Sequence, residues 1–261
     1  MYLDTREGAV YYEVHGSEDL PVIVFTHGAG LNSRAFDAQI AALKNNYCII
    51  VWDMPGHGRS YKLDAPLNFA GQCDIIIGIM DKHYFQQAVL AGHSLGSWVS
   101  QHCAHKYPQR VKAIISIAGT PLNKPFSKLF IWFFKFYNEF ARLIPEKSLY
   151  RTVARQKAFT PEAQNFYEKS LTEIGFRQNY LINKGMIAAN GTIADPPTQP
   201  VLMIHGEHEN PKQTAKINAR WHADTPGSKY EVLQGAGHNG NQDNPEAFNE
   251  AVLSFIKSLS F

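Results

Sequence analysis

The chain has 261 residues, 44% of them hydrophobic and 18% charged, and a sequence of this size can bury a large core without disulfides or a structural metal. Its 25 basic and 23 acidic residues give a formal net charge of +2 without a dense Lys/Arg stripe, which argues against nucleic acid as a partner. The N-terminus lacks the layout of a signal peptide, no uncharged apolar run reaches the length of a membrane span, and the three cysteines show no CxxC spacing. We therefore expect a soluble protein of the cytoplasm.

Strand-like and helix-like segments alternate along the first 119 residues. Continuous apolar runs that end in Gly or Asp predict strands buried on both faces. In chain order the predicted segments are strands at 10–15 and 21–28, a helix at 35–45, a strand at 47–54, a helix at 69–83, a strand at 87–94, a helix at 95–107 and a strand at 111–119. Such alternation with short connections predicts an α/β fold with a mostly parallel, doubly wound sheet.

The alternation stops after residue 119 and resumes near residue 199. Residues 120–198 contain aromatic-rich helical segments and no buried-strand run. The predicted segments are helices at 126–144 and 161–186, strands at 201–206 and 228–235, and a closing amphipathic helix at 245–259. The predicted organisation is therefore an α/β core formed by residues 1–119 and 199–261, into which residues 120–198 are inserted as a helical cap.

The strongest local motif is Gly92-His93-Ser94-Leu95-Gly96, which fits G-x-S-x-G and lies between a predicted buried strand and a predicted helix. Such a turn needs small residues where the strand meets the helix, and it lifts the serine hydroxyl above the sheet edge. It also brings the backbone N–H of Leu95 beside that hydroxyl at a helix N-terminus. Ser94 is therefore the predicted nucleophile, and the Leu95 N–H is one predicted oxyanion donor.

A serine nucleophile needs a general base, and the base needs an acid that orients it. His238 lies in a glycine-rich segment after the last predicted strand, which is where such a base is expected. The loop after the strand at 201–206 contains two glutamates and no aspartate, and Glu209 is preferred over Glu207 as the acid. The alternative is that both are solvated loop residues and that the acid lies elsewhere.

The segment His27-Gly28-Ala29-Gly30 follows the first buried strand. Its small residues allow the backbone to approach a ligand closely, so the Ala29 N–H is the second predicted oxyanion donor. The histidines and glutamates at 205–209 lack HExxH spacing, and no metal site is predicted there.

Together these motifs resemble the α/β-hydrolase superfamily, in particular its capped esterase, lipase and C–C hydrolase-like members. The segments that carry the resemblance are HGAG (27–30), DMPGHGRS (53–60), GHSLG (92–96), HGEHE (205–209) and GAGH (235–238). The resemblance covers almost the whole chain except the cap. It implies an eight-stranded, mostly parallel sheet, a triad of Ser94, Glu209 and His238, a structural role for residues 53–60, and no cofactor. Most relatives have Asp where this chain has Glu209, so the acid departs from the common pattern.

The predicted function is a carboxylesterase-like serine hydrolase that cleaves a carboxylic ester or lactone with an apolar acyl or aryl part. The aromatic residues at 126–140 predict an apolar pocket in which Trp132, Phe133 and Phe136 bind the substrate. Alternatively, these aromatics pack the cap against the sheet, contact lipid, or form a homodimer through the cap. Three other function classes stay open: a C–C bond hydrolase or lyase, a cofactor-free oxygenase, and a slow-turnover ligand sensor.

Overall fold

The strands of the core form where the sequence has its apolar runs. In the computed structural model, which describes residues 1–193, 195–209 and 214–259, they are β1 (Tyr2–Asp4), β2 (Ala9–His15), β3 (Val22–Thr26), β4 (Cys48–Trp52), β5 (Ala88–His93), β6 (Val111–Ile117), β7 (Val201–Gly206) and β8 (Lys229–Leu233). Within these residues the strands form one eight-stranded sheet in the order β1-β2-β4-β3-β5-β6-β7-β8. β2 pairs antiparallel with β1 and β4, and the other neighbouring strands are parallel. The predicted α/β class with a mostly parallel sheet is confirmed.

Helices cover both faces of this sheet. In chain order they are α1 (Asp37–Leu43), α2 (Phe69–Lys82), α3 (Leu95–Lys106), α4 (Lys128–Phe140), α5 (Glu146–Lys157), α6 (Pro161–Ile174), α7 (Phe176–Ala189), α8 (Lys216–Ala223), α9 (Gly240–Asp243) and α10 (Pro245–Lys257). Alternate residues of a strand point to opposite faces. In β3, Val24 accordingly belongs to the hydrophobic cluster that contains α2 and α3, whereas Phe25 belongs to the cluster that contains α1 and α10. This two-sided burial explains why the strand sequences are continuously apolar.

The helical cap consists of α4 to α7, which lie between β6 and β7. The single helical stretch predicted at 161–186 is divided in two, because Gly175 has φ +76° and ends α6 before α7 begins. The aromatic helix is shorter than predicted, and it passes into a 3-10 turn at Ala141–Leu143. Helix α5 was not predicted, and neither were β1, α8 and the short α9. The cap boundaries at residues 120 and 198 stay a prediction.

The parallel arrangement determines where a site can form. The carboxyl ends of parallel strands meet at one edge of a sheet, and ligands of open α/β sheets bind there. The segments that follow β3, β5, β7 and β8 carry Ala29, Ser94, Glu209 and His238, respectively. Of the helices in the part of the chain described, none is long and apolar enough to cross a membrane.

Candidate active site

Ser94 lies in a strained turn between β5 and α3. Its backbone has φ 51° and ψ −109°, a region that costs a non-glycine residue about 1–3 kcal/mol. The turn is held by a hydrogen bond that Ser94 N–H donates to Ile117 O at 2.7 Å. Position 96 has room only for glycine, because a Cβ there would lie 2.2 Å from Thr26 O. Leu95 is the first residue of α3, so its N–H has no acceptor within the helix. The structure thus presents a serine and a free backbone donor side by side.

Glu209 and His238 form a buried pair beside this turn. Glu209 Oε1 lies 2.6 Å from His238 Nδ1, and the two side chains are 10% and 11% exposed. This contact assigns the proton to Nδ1, which donates to the carboxylate, and leaves Nε2 as the acceptor. Glu207 instead accepts a hydrogen bond from Gly235 N–H and is largely exposed. The structure therefore brings Glu209, and not Glu207, to the histidine.

The surroundings shift the ionisation of this pair. Burial lowers the pKa of the His238 imidazole below its ordinary value, and the positive charge of Lys157 lowers it further, whereas Glu209 opposes both effects. Burial alone would raise the pKa of the Glu209 carboxyl, but its attraction to His238 and the hydrogen bond between them hold that pKa below its ordinary value. The pair thus favours an ionised carboxylate next to a neutral imidazole, the state in which a histidine can accept a proton.

Residues that sequence reasoning did not select hold the His238 loop in place. His93 Nε2 donates to the backbone carbonyl of His238 at 2.9 Å. Asp243 accepts hydrogen bonds from Gly237 N–H at 2.9 Å and from Thr160 N–H, in the cap, at 2.8 Å. One carboxylate therefore links the base loop to the cap. Its position five residues after His238, at the end of a helix of four residues, gave no recognisable sequence signal.

The loop that carries Ala29 is fixed by two buried histidines and a cap tyrosine. His27 Nε2 accepts from Met54 N–H at 3.0 Å, and His57 Nε2 accepts from Gly30 N–H at 3.3 Å. Tyr167 Oη donates to Ala29 O at 2.8 Å, so the carbonyl of this residue is held by the cap. These contacts orient the peptide whose N–H was predicted to stabilise an oxyanion.

The segment 53–60 takes part in structural contacts. The buried carboxylate of Asp53 accepts from Ser33 N–H at 2.7 Å and from Arg59 N–H at 2.8 Å. Ser60 Oγ donates to Asp53 O and accepts from Tyr11 N–H. The two ring nitrogens of His205 lie within hydrogen-bonding distance of Tyr230 Oη and Gly206 O. Among the described residues, no group of three His, Cys, Asp or Glu side chains is placed to hold a metal ion.

Two cavities meet at the nucleophile, and we call them cavity A and cavity B. Both are lined by Ser94, Phe134, Lys157, Met186 and His238. Cavity A has a volume of 260 Å³ and is otherwise mainly apolar, with walls that include Trp98, Phe126, Phe130, Ile131 and Ile187. Cavity B has a volume of 330 Å³ and carries more hydroxyl and amide groups, including those of Tyr137, Tyr150, Tyr167, Asn179 and Asn183. A larger groove of 820 Å³ lies next to α2, and Ser94, Glu209 and His238 are not among the residues that line it.

The predicted substrate-binding residues lie elsewhere. Trp132, Phe133 and Phe136 are 57%, 56% and 51% exposed, and none of them lines cavity A or cavity B. Their helix, α4, turns Phe130 and Phe134 toward the nucleophile instead. The cavity wall is thus formed by residues two positions before Trp132 and Phe136. Apolar residues cover a wide arc of α4, and the sequence does not reveal which part of that arc packs inward.

Comparison with known proteins places the chain among hydrolases. It is 27% identical over 272 residues to 3-oxoadipate enol-lactonase 2 of Acinetobacter baylyi, an alignment that covers 99% of this chain and 97% of the relative. It is 26% identical over 279 residues to a bifunctional esterase/perhydrolase of Acinetobacter calcoaceticus, covering 98% and 99% of the two chains. The structure of a thermophilic esterase from Thermogutta terrifontis superposes with a TM-score of 0.82 at 19% identity, covering 98% of this chain and 97% of the other.

A family profile agrees with these likenesses. The profile of the alpha/beta hydrolase fold family matches residues 21–245, a range that includes the nucleophile turn, the cap and the His238 loop. The eight-stranded sheet, the inserted helical cap and the strained serine turn are the features that the sequence motifs implied. The chain is therefore an enzyme that belongs to the α/β hydrolase fold family.

Proposed function

We propose that this enzyme is a serine hydrolase that cleaves a carboxylic ester or a lactone through an acyl-enzyme on Ser94. The observation that carries the proposal is the buried 2.6 Å contact of Glu209 with His238, beside a serine held at φ 51°. A carboxylate that fixes the imidazole tautomer and a serine raised on a strained turn are the two elements that acyl transfer requires. The acid in this proposal is a glutamate, Glu209, in the loop that follows β7.

Each group has a defined role in the proposed reaction. His238 Nε2 takes the proton of the Ser94 hydroxyl while Oγ attacks the carbonyl carbon, and Glu209 stabilises the imidazolium that forms. The N–H groups of Ala29 and Leu95 bind the oxyanion, and each such donor contributes about 3–4 kcal/mol to transition-state stabilisation. The tetrahedral intermediate then expels the alcohol, which receives the proton from His238. A water molecule, deprotonated by His238, then attacks the acyl-enzyme. The bond between Ser94 Oγ and the acyl carbon breaks, the acid is released, and His238 returns the proton to Ser94 Oγ.

Cavity A supports an apolar acyl or aryl part in the substrate. Its wall is formed largely by aromatic and aliphatic side chains, among them Trp98, Phe126 and Phe130. Burial of each methylene group in such an environment contributes about 0.8 kcal/mol, so a four-carbon chain gains about 3 kcal/mol. Relatives named as an enol-lactonase and an esterase support the same bond types.

The proposal is tested with p-nitrophenyl esters of increasing acyl length, using Ser94→Ala as the control. We expect kcat/KM to rise with chain length until cavity A is filled and to be lost in Ser94→Ala. Turnover in the alanine variant equal to that of the native enzyme contradicts the proposal, and so does an enzyme that cleaves none of these esters. In that case the C–C hydrolase, oxygenase and sensor alternatives are tested next, with oxygen uptake as the readout for the second.

The homodimer through the cap remains a prediction. Helix α4 leaves an apolar face exposed that includes Trp132, Phe133 and Phe136, and such patches commonly mark contact surfaces. Sedimentation of the native protein and of a Trp132→Ser/Phe136→Ser variant tests it: we expect a dimer that dissociates in the variant. A native monomer at all concentrations contradicts the prediction.

We also propose a reducing cytoplasm as the compartment, which the three free, buried cysteines support.

A further inference from the structure

Lys157 occupies a position that the proposed mechanism does not use. It is the last residue of α5 and lines both cavities, next to the nucleophile and the base. Its backbone carbonyl accepts from Asn239 N–H at 3.0 Å, which ties the end of α5 to the residue that follows His238. The side chain is thus carried by a backbone that is fixed relative to the site.

The ammonium group of Lys157 has no close partner among the described residues. No carboxylate in that part of the chain lies within 4.0 Å of its Nζ, and no described side chain or carbonyl forms a hydrogen bond with it. Burial lowers the pKa of Lys157, although the negative charge of Glu209 opposes that effect. Glu209 Oε1 is already engaged by His238. Lys157 is half-buried. A cation that is partly shielded from water and has no counterion is costly, and an anionic ligand would lower that cost.

The walls of cavity B indicate where such an anion would lie. Apart from His238, Lys157 is the ionisable cation among the described residues that line this cavity, and no acidic side chain lines it. The remaining polar groups are tyrosine hydroxyls and carboxamides such as those of Tyr150 and Asn179. Cavity A, by contrast, contains Glu209 and a mainly apolar wall. The charge distribution therefore favours a negative group in cavity B and an uncharged group in cavity A.

We propose that Lys157 binds a carboxylate of the substrate, so that the enzyme acts on an ester or lactone that carries a free carboxylate on the part held in cavity B. This inference rests on the proposed function, because it places the carboxylate relative to a carbonyl that Ser94 attacks. Lys157 is a specificity-determining residue in this account. A hydrogen bond to a charged group is stronger than a neutral one, and its loss corresponds to roughly a 10- to 100-fold change in affinity.

The test compares an anionic ester with a neutral ester of matched shape. The substrates are the p-nitrophenyl hydrogen esters of glutarate, adipate and pimelate, each paired with its methyl p-nitrophenyl diester and corrected for enzyme-free hydrolysis. The proteins are the native enzyme, Lys157→Met, Lys157→Arg and Lys147→Met. Lys147 is exposed on the same helix, so Lys147→Met removes an equal charge away from the cavities. Rates are measured at pH 7.5, at which the lowered pKa of His238 leaves the base mainly neutral. Because the pKa of Lys157 is also lowered, its ammonium group is more fully protonated there than at alkaline pH.

We expect the native enzyme to prefer the anionic member of the best pair by about 10-fold or more in kcat/KM. Lys157→Met should lower this ratio by about the same factor, mainly through KM of the anionic ester, and Lys157→Arg should retain most of it. Lys147→Met should leave the ratio unchanged. An equal ratio in the native enzyme and Lys157→Met overturns the inference, as does an equal loss on both esters.

Two further results separate the inference from the proposed function. If Ser94→Ala hydrolyses both esters as fast as the native enzyme, the acyl-enzyme proposal fails; if hydrolysis needs Ser94 but the ratio is independent of Lys157, only this inference fails. If Lys157→Met does not fold, inhibition of the native enzyme decides whether the site prefers a carboxylate. Hexanoate should inhibit hydrolysis of the neutral ester at least about 10-fold more strongly than hexanamide, and equal inhibition overturns the inference.

Discussion

Replacing Glu209 with Gln should remove most of the activity while the fold is retained. The carboxylate lies 2.6 Å from His238 Nδ1, in a place where both side chains are about nine-tenths buried. When His238 becomes an imidazolium, its charge and that of the Glu209 carboxylate have centres about 4 Å apart. Their attraction then stabilises the transition state by about 4 kcal/mol at an effective dielectric constant of about 20. Since 1.36 kcal/mol corresponds to a factor of ten in rate, kcat/KM should fall by about a thousandfold.

Glu207→Gln is the matched control for this prediction. It makes the same chemical change two residues away, in a largely exposed side chain that contacts Gly235 N–H and not the base. Its kcat/KM on the best p-nitrophenyl ester should change less than about threefold. Thermal unfolding of both variants shows whether the fold is intact. The reasoning is refuted if Glu209→Gln retains more than a tenth of the native activity, or if Glu207→Gln loses as much.

Three other changes have defined outcomes. Because the base must be neutral, kcat/KM should rise with pH through the pKa of His238, with an acidic midpoint below the ordinary pKa of histidine. Lys157→Met removes a charge that lowers this pKa, so the midpoint of its pH–rate profile should move upward, and an unmoved midpoint contradicts the electrostatic account. Gly96→Ala places a Cβ 2.2 Å from Thr26 O and should lower the Tm by about 5 °C or more together with activity, whereas an unchanged Tm would show that the turn can relax. Asp243→Asn weakens the link between the base loop and the cap, so it should lower kcat about 10-fold and slow the labelling of Ser94 by a fluorophosphonate. A variant with native kinetics and native resistance to proteolysis of the cap would contradict this prediction.

The core of the fold could be predicted because burial on two sides leaves a clear record in the sequence. A strand such as Val22–Thr26 is buried at every position and apolar at all of them except Thr26, since α2 and α3 cover one face and α1 and α10 cover the other. The order of strands and helices then places their following loops at one edge of the sheet. For this reason Ser94, His238 and the two candidate acids Glu207 and Glu209 could be predicted from their positions in the chain. The 2.6 Å contact with His238 then distinguishes Glu209 from Glu207.

The cap could not be predicted at the same level. Apolar residues cover more than half of the circumference of helix α4, so periodicity does not determine whether Phe134 or Phe136 faces the site. Helix α5 does carry a helical apolar pattern, at Leu149, Tyr150 and Ala154, but its other positions are mostly polar, so the pattern is weak. Nothing in the sequence distinguishes Lys157 from the exposed basic residues of the same helix, because its burial depends on how α5 packs against the base loop.

The acyl-enzyme on Ser94 is the central claim, and its most direct measurement is mass spectrometry of the enzyme quenched during turnover of a p-nitrophenyl ester. We expect the mass of the acyl group on the peptide that contains Ser94, preserved by an acid quench that protonates His238 and stops deacylation. Ser94→Ala should carry no such adduct and should not turn over the ester. An acyl group on another residue, or turnover in Ser94→Ala equal to that of the native enzyme, would contradict the account.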